Sequence, residues 1–253
     1  MISAGIDIGS RTIKLVLHDG ADIISSEVRP NSYNTIDICR EMLKDVSYDG
    51  IISTGYGRHL FSRHFNCEAI SEIKAFTLGA FHTIPDCRTI LDIGGQDTKA
   101  ISLDENGKIS KFEMNDKCAA GTGKFLEIMA NALEFTMGEF IESASSAEKA
   151  EPINSMCTVF AESEVISLIG RGALRDEVSL GIHHAIVKRS VSLMKRVSIR
   201  DNIVFVGGVA NNSCVRSLIE KELSTKISVP EAPQIIGALG CALHHHHTVK
   251  HSN

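Results

Sequence analysis

The sequence has 253 residues, which is enough for one large domain or two domains of ordinary size. Its formal net charge of −5, without a long basic run, argues against a nucleic-acid-binding surface. No apolar stretch approaches the roughly 18 residues that cross a bilayer, and the N-terminus lacks the basic region and cleavage site of a secretory signal. We therefore expect a cytoplasmic protein without membrane contact, whose seven cysteines are reduced.

Three short strands joined by tight turns open the chain, which predicts an antiparallel meander. Before residue 85 we predict strands at 2–8, 12–17, 22–28 and 51–54 and helices at 35–45 and 68–83. After residue 85 we predict strands at 89–93, around Lys99, at 108–114, 202–206 and 226–229, and helices at 118–134, 159–172, 177–198, 213–223 and 233–244.

The second half begins with an internal repeat of the first. Residues 4–12 and 89–97 each contain a strand that ends in Asp-Ile-Gly and continues through a polar turn into a strand with a lysine, Lys14 or Lys99. Such a duplication indicates two related domains with a cleft between them. We expect an α/β fold in which residues 1–84 and 237–253 form the first domain and residues 85–236 form the second.

The turns after these two strands have the composition of phosphate-binding turns. Glycine allows the backbone of Asp7-Ile8-Gly9-Ser10 and of Asp92-Ile93-Gly94-Gly95 to come close to an anion, and exposed N–H groups can bind phosphate oxygens. One such turn alone is more often an ordinary hairpin. Its duplication, together with a late glycine pair in GGVANN (207–212) that would let an adenosine lie against the backbone, favours a nucleotide site.

Polar side chains in these turns suit nucleotide chemistry. Asp7 and Asp92 are candidate Mg²⁺ ligands, usually through water. Lys14 can place a positive charge at the phosphates, and Gln96 or Asp97 can orient an attacking water molecule.

Two cysteines stand at positions that favour the reactive thiolate. Cys118 precedes a small-residue turn at 119–123 and a helix-like run, and Cys157 precedes another helix-like run from Val159. The N–H groups and dipole at a helix N-terminus stabilise a thiolate, the form that attacks electrophiles or binds metal. Two cysteines of one chain cannot complete a four-thiolate cluster, but those of two chains can.

Other residues have competing interpretations. The remaining cysteines are expected to be small buried residues: Cys39, Cys67, Cys87, Cys214 and Cys241. A catalytic Cys–His pair with His183 or His184 is disfavoured because both lie in a helix-like segment. Glu162 either reaches Mg²⁺ or lies on a solvated helix face, and Arg58 either contacts the cleft or a partner or lies on a surface loop. The histidine run at 244–247 is interpreted as native sequence and an incidental metal binder.

Long motifs resemble one family along nearly the whole chain. The two phosphate turns and the adenosine turn resemble the acetate kinase, sugar kinase, Hsp70 and actin superfamily. Within it, the chain resembles the activators of 2-hydroxyacyl-CoA dehydratases, close relatives of the BcrAD/BadFG-type ATPases that drive benzoyl-CoA reductase. The motifs are TGYGR (54–58), DIGGQDTK (92–99), MNDKCAAGTGKFLE (114–127), CTVFAESEVIS (157–167) and GGVANN (207–212).

This resemblance implies two actin-like (RNase H-like) ATPase domains and a redox function. In the family, a homodimer shares one [4Fe–4S] cluster, whose cysteines match Cys118 and Cys157. ATP with Mg²⁺ drives transfer of one low-potential electron to a dehydratase or related reductase, and ferredoxin or flavodoxin re-reduces the activator. The nucleotide contacts expected here are Asp7, Gly9, Ser10, Arg11, Thr12, Lys14, Gly94, Gly95, Gln96, Gly207, Gly208, Asn211 and Gly237, with Asp92, Gln96 and Asp97 in catalysis.

Two alternatives stay open at this point. A small-molecule (sugar) kinase of the same fold would phosphorylate a hydroxyl group and would not use Cys118 or Cys157. A binding switch would use ATP only to control assembly with a partner, and its cysteines would be structural. Iron content separates the redox function from both.

Overall fold

A computed structural model describes residues 1–154 and 157–252, which form two five-stranded mixed sheets with helices packed against them. The strands of the first sheet are β1 (Ser3–Ile8), β2 (Thr12–His18), β3 (Ile23–Pro30), β4 (Gly50–Thr54) and β5 (Glu68–Ala69). The strands of the second are β6 (Thr89–Ile93), β7 (Thr98–Leu103), β8 (Ile109–Asn115), β9 (Ile203–Val206) and β10 (Ile227–Ser228).

The two sheets have the same topology. Their strand orders are β3-β2-β1-β4-β5 and β8-β7-β6-β9-β10, so each strand of the first half has a counterpart in the second. In each sheet the first three strands form an antiparallel meander, and the fourth and fifth run parallel to the first. The internal duplication read from the sequence is therefore a duplication of structure.

Helices connect and cover the sheets. The α-helices are α1 (Thr35–Leu43), α2 (Arg58–Phe65), α3 (Glu72–Thr83), α4 (Gly123–Ala132), α5 (Met137–Ser146), α6 (Thr158–Gly170), α7 (Arg175–Lys195), α8 (Ser213–Leu223) and α9 (Ile236–Ser252). Short 3₁₀ helices lie at Ala119–Gly121, Gly208–Asn211 and Pro233–Ile235. None of these helices is both long and apolar enough to cross a membrane.

Two predicted helices begin in the wrong place. The segment predicted as a helix at 68–83 starts with β5, and α3 begins only after Ser71, whose side chain accepts a hydrogen bond from the backbone N–H of Lys74 (3.2 Å). The predicted helix at 118–134 is divided, because Thr122 has an extended backbone (φ −130°, ψ 170°) between the first 3₁₀ helix and α4. Cys118 therefore precedes the 3₁₀ helix and does not begin α4.

Two helices were not predicted. In α2 the apolar residues Phe61 and Phe65 are one helical turn apart and their rings stack, but the helix has only eight residues, so the pattern is short. The start of α5 does have a sequence signature that was overlooked, since Thr136 and Glu139 form a reciprocal capping box.

The histidine run lies inside α9, which extends eight residues beyond its predicted end at residue 244. His245 Nδ1 lies 2.8 Å from Ser3 Oγ, His244 Nε2 lies 3.2 Å from Glu68 Oε1, and His246 is buried. In the described part of the chain no group of three or more His, Cys, Asp or Glu side chains could hold a metal ion. The run is a packed part of the fold, and its interpretation as an incidental metal binder stays a prediction.

Helices α3 and α9 join the two sheets through a shared apolar core. Phe76 of α3 and Leu239 of α9 belong to one buried cluster with Val16 of the first sheet and Ile90 and Val206 of the second. Close helix–helix and helix–strand contacts need glycine: a Cβ on Gly240 would lie 1.8 Å from the carbonyl oxygen of Ala75, and one on Gly5 would lie 1.9 Å from that of Ala238. The predicted domain bounds stay a prediction.

Candidate nucleotide cleft and cysteine pair

A cavity of about 450 Å³, called the cleft below, is lined by residues of both halves. Every residue predicted to contact the nucleotide or act in catalysis lines it except Gly237. Those residues are Asp7, Gly9, Ser10, Arg11, Thr12, Lys14, Asp92, Gly94, Gly95, Gln96, Asp97, Gly207, Gly208 and Asn211. Gly237 lies directly behind the wall, since a Cβ there would be 3.4 Å from Asp7 Oδ2.

Each half contributes an aspartate–lysine pair to the cleft. Asp7 faces Lys14 across β1 and β2, and Asp92 faces Lys99 across β6 and β7, in the same register. In both pairs the lysine Nζ lies 3.0 Å from the aspartate Oδ2. Each lysine that follows a turn in the sequence is thus the ion-pair partner of the aspartate before that turn.

The second pair is part of a larger buried cluster. Lys99 Nζ also lies 2.5 Å from Asp97 Oδ2 and 3.3 Å from Oε2 of Glu72, which belongs to α3. No sequence motif marks Glu72, because only the packing of α3 against the second sheet brings it to the cleft. This ion pair joins a helix that follows the first sheet to a strand of the second sheet.

Burial and charge change the proton affinity of this cluster. Burial raises the pKa of Asp92, against the opposite effect of Lys99. Burial also raises the pKa of Glu72, to about 7, although Lys99 acts to lower it. Burial alone would lower the pKa of Lys99, but Asp92, Glu72 and Asp97 outweigh it and raise that pKa. We conclude that Lys99 stays charged and that Glu72 can exchange a proton near neutral pH.

One carboxylate oxygen of the cleft has no partner. Asp92 is 1% exposed, and its Oδ1 is buried without a hydrogen bond in the described structure. Such an atom normally has a hydrogen-bond or metal partner. Mg²⁺ is commonly held by one or two carboxylates, water and substrate phosphates, so Asp7 and Asp92 fit a magnesium–nucleotide complex without a dedicated protein cage.

Two glycines cover the aspartates in equivalent positions. Gly207 has φ +85°, and a Cβ on it would lie 2.3 Å from Asp92 Oδ1. Gly55 has φ +89°, and a Cβ on it would lie 2.4 Å from Asp7 Oδ1. The predicted adenosine turn therefore has a structural counterpart in the TGYGR motif, which sequence analysis did not connect with it.

Two side chains of the TGYGR motif have different surroundings: Arg58 contacts its own loop, and Tyr56 faces the cleft. Arg58 donates a hydrogen bond from a guanidinium nitrogen to the carbonyl oxygen of Gly55 (3.0 Å) and does not line the cleft. Tyr56 lines the cleft and is 83% exposed. Arg58 thus holds the loop in place, and Tyr56 is the member of the motif that a ligand or partner can reach.

Cys118 is exposed and its backbone is held on both sides by one side chain. Asn115, at the end of β8, donates from Nδ2 to the carbonyl oxygen of Cys118 (2.8 Å) and accepts at Oδ1 from its N–H (3.2 Å). This clamp fixes the peptide units of Cys118 and leaves the thiol at the surface.

Cys157 is also exposed, and its carbonyl oxygen accepts the N–H of Ala161 as the N-cap residue of α6. The other cysteines differ, since all are buried except Cys67, which is half-buried. Burial raises the pKa of both Cys39 and Cys87 to about 12, which keeps these thiols protonated. Exposure therefore singles out the same two cysteines as the sequence motifs.

The remaining candidates do not reach the cleft as catalytic groups. His183 is buried, with Nδ1 2.7 Å from the carbonyl oxygen of Ser179 and Nε2 3.0 Å from Nδ2 of Asn212. Both ring nitrogens are used, so His183 positions Asn212, the N-cap residue of α8, and forms no Cys–His pair. Glu162 is half-buried in α6 and does not line the cleft.

Comparison with known proteins gives matches along the whole chain. A family model described as the BadF/BadG/BcrA/BcrD ATPase family matches residues 4–244. The 2-hydroxyisocaproyl-CoA dehydratase activator of Clostridioides difficile is 42% identical, over 96% of this chain and 94% of the relative. The activator of lactoyl-CoA dehydratase of Anaerotignum propionicum is 43% identical, over 96% of this chain and 97% of the relative.

A solved structure extends these matches to three dimensions. The activator of the 2-hydroxyisocaproyl-CoA dehydratase from Clostridium difficile, with bound ADPNP, matches with a TM-score of 0.91 at 39% identity, over 100% of this chain and 97% of that chain. The predicted α/β fold of two duplicated actin-like ATPase units is confirmed. The length and identity of the sequence matches show that the chain belongs to the BadF/BadG/BcrA/BcrD ATPase family.

Proposed function

We propose that this protein is an ATP-dependent one-electron donor that activates a 2-hydroxyacyl-CoA dehydratase or a related reductase. The observation that carries the proposal is that Cys118 and Cys157 are exposed, whereas the other cysteines are buried or half-buried. Support comes from relatives of nearly the same length that are named activators of such dehydratases. The kinase and binding-switch alternatives give no reason for two exposed thiols.

The two cysteines fit a [4Fe–4S] cluster shared between two copies of the chain. A cube of this type takes four thiolates, and each chain offers two that are accessible. Within the described residues no group of three or more His, Cys, Asp or Glu side chains could hold a metal ion, so a single chain does not offer four ligands together. When bound, such a cluster supplies one-electron transfer at low potential.

An exposed apolar surface beside Cys157 supports the homodimer. Val159 and Phe160 are each 67% exposed and Ile166 is 59% exposed, all on α6. Large apolar side chains that cluster at a surface commonly mark a protein–protein contact. A two-fold axis that passes through a shared cluster would bury this surface in both copies at once.

In the cleft the chain's own residues would bind and orient the nucleotide. Lys14 has one carboxylate partner and some exposure, so it can turn to a phosphate oxygen, whereas Lys99 is fixed by several carboxylates. Asp7 and Asp92 would hold Mg²⁺ through its water molecules. Gln96 is exposed while Asp97 is ion-paired with Lys99, which makes Gln96 the better candidate to orient an attacking water molecule.

The partners complete the proposal. The electron would pass to a dehydratase or reductase in the cytoplasm, and ferredoxin or flavodoxin would return the protein to its reduced form. The acyl group of the substrate would be selected by the partner enzyme, since the cleft of this chain is assigned to the nucleotide.

The proposal is tested by measuring iron and acid-labile sulfide per chain on anaerobically purified protein. The mass of the protein in solution is measured on the same sample. We expect about two irons and two sulfides per chain in a dimer, which is one four-iron cube per pair. Cys118→Ser should abolish this content, while Cys214→Ser, a change at a buried cysteine, should leave it unchanged. Absence of iron after anaerobic reconstitution would reject electron transfer and direct attention to kinase assays.

A further inference from the structure

We propose that the ion pair between Arg11 and Glu127 is a nucleotide-sensitive latch between the first turn (residues 9–11) and α4. Glu127 is then a positioning residue that competes with the nucleotide for the Arg11 guanidinium. This inference rests on the proposed function, because it assumes that a nucleoside triphosphate enters the cleft.

The pair has the geometry of a specific contact. Arg11 Nε lies 3.2 Å from Glu127 Oε1, and a terminal guanidinium nitrogen lies 2.7 Å from Oε2, so the contact is bidentate. The two residues are 116 positions apart in the chain, and both line the cleft. The Arg11 stem crosses the second turn on its way, since a Cβ on Gly95 would lie 2.3 Å from Arg11 Cγ.

Helix α4 is also attached to the second turn, residues 94–97. The N–H groups of Gly123 and Lys124 donate to the carbonyl oxygens of Gly94 (2.8 Å) and Gly95 (2.9 Å). The first residues of α4 are therefore fixed to one turn by the backbone and, one helical turn later, to the other turn by Glu127. A movement of the two turns relative to each other must change one of these contacts.

Charge explains why a nucleotide would break the side-chain contact and keep the backbone contact. Glu127 places a carboxylate in the wall of a cleft that is proposed to hold phosphates. An incoming polyphosphate repels Glu127 and attracts Arg11, and because the pair is 47% and 33% exposed, water can replace either partner at small cost. We infer that the latch is closed without nucleotide and opens when phosphate binds Arg11.

The segment that the latch controls leads back to Cys118. Thr98 Oγ1 donates to the carbonyl oxygen of Gly121 (2.5 Å), and Asn115 clamps Cys118 itself. Residues 115–123 thus connect β7 and β8 to α4 by a short series of hydrogen bonds. A movement of α4 after its release from Arg11 would be transmitted to residues 115–123 through the covalent chain and these hydrogen bonds.

Glu127→Gln in the full-length protein tests the latch, with Glu134→Gln as the matched control. Glu134 is exposed on the turn after α4, outside the cleft, and the control removes the same charge. The affinity for Mg²⁺–ADPNP is measured by calorimetry. We expect Glu127→Gln to bind about two- to fivefold tighter, because the exposed ion pairs of Glu127 with Arg11 and Lys124 and a repulsive charge are all removed, and Glu134→Gln to bind like the parent protein.

Hydrogen–deuterium exchange of residues 115–132 provides the second readout. In the parent protein ADPNP should change exchange in this segment, and Glu127→Gln without nucleotide should already resemble the bound form. Equal or weaker binding by Glu127→Gln, or an unchanged response of the segment to ADPNP, would overturn the latch while leaving the proposed function intact. If the parent protein binds no ADPNP, the nucleotide function itself fails and the latch with it.

Discussion

The two turns of the cleft have the same backbone arrangement but different electrostatic surroundings. In the first, Lys14 has one carboxylate partner, Asp7, and its side chain is 13% exposed. In the second, Lys99 is 2% exposed and contacts three carboxylates, those of Asp92, Asp97 and Glu72. Both copies have the strand register that pairs an aspartate with a lysine, and the second has two further carboxylates around that lysine.

This difference assigns different tasks to equivalent residues. A lysine with one partner and some exposure can exchange that partner for a phosphate, so the first turn suits nucleotide binding and release. A lysine enclosed by several carboxylates cannot leave without exposing buried negative charge, so Lys99 suits structural support. The Glu72–Lys99 contact then also holds α3 against the second sheet.

Replacement of Lys99 by methionine should give the largest loss of stability. It leaves Asp92, Asp97 and Glu72 close together without a cation, and removal of one partner from a buried charged group costs about 3–5 kcal/mol. We expect the free energy of unfolding in urea, measured without nucleotide, to fall by about this amount. The loss should be smaller at pH 6 than at pH 8, because protonated carboxyls need no cation.

Lys14→Met is the matched change in the first turn. It leaves one aspartate without its lysine, and the expected loss is about 2 kcal/mol, the size of a hydrogen bond to a charged group. An equal loss for the two variants would show that the additional carboxylates around Lys99 do not contribute, and the comparison between the turns would fail.

His183 gives the second half a pH-dependent stability. Burial lowers its pKa to about 4, while the unfolded chain has the ordinary value near 6.5, so below pH 6.5 the unfolded state binds a proton that the folded state does not. The contribution of His183 to the free energy of unfolding is therefore fully present above pH 6.5. It decreases as the pH drops towards 4, by about 3 kcal/mol in total. Urea unfolding at a series of pH values measures this slope.

His183→Gln should flatten that slope, because glutamine carries no titratable proton. His59→Gln is the control, since it removes an exposed histidine of α2, on another element than His183. If the parent protein and His183→Gln lose stability equally between pH 6.5 and 4, another group is responsible and the burial of His183 is not the source.

The strands and the cleft could be predicted from sequence because their signals are local. Each strand–turn–strand unit combines a buried apolar run with a glycine-containing turn, and the repeat of that unit indicated two equivalent halves. The predicted strands of the first meander lie within two residues of β1, β2 and β3. Their register then places Asp7 opposite Lys14 and Asp92 opposite Lys99.

The features that sequence analysis missed depend on packing between distant segments. Glu72 reads as an ordinary first-turn residue of α3, and only the position of α3 between the sheets gives it a buried partner in Lys99. Glu127 reads as part of a helical surface, although Arg11 reaches it across the cleft. Neither contact has a spacing or motif from which a single sequence would predict it.

The smallest expected effect on stability comes from the residues that precede two helices, one in each half of the chain. Thr136 caps α5 in a reciprocal box with Glu139, whereas Asn34 precedes α1 without a side-chain cap hydrogen bond. Thr136→Ala should therefore lower the free energy of unfolding by about 1 kcal/mol, because it leaves helix N–H groups without their acceptor. Asn34→Ala should change it by a few tenths of a kcal/mol at most, which is typical of a surface substitution. Thermal unfolding at pH 7.5 resolves the two outcomes. If both variants lose the same free energy of unfolding, Asn34 caps α1 in solution. The two helix starts would then contribute equally to stability.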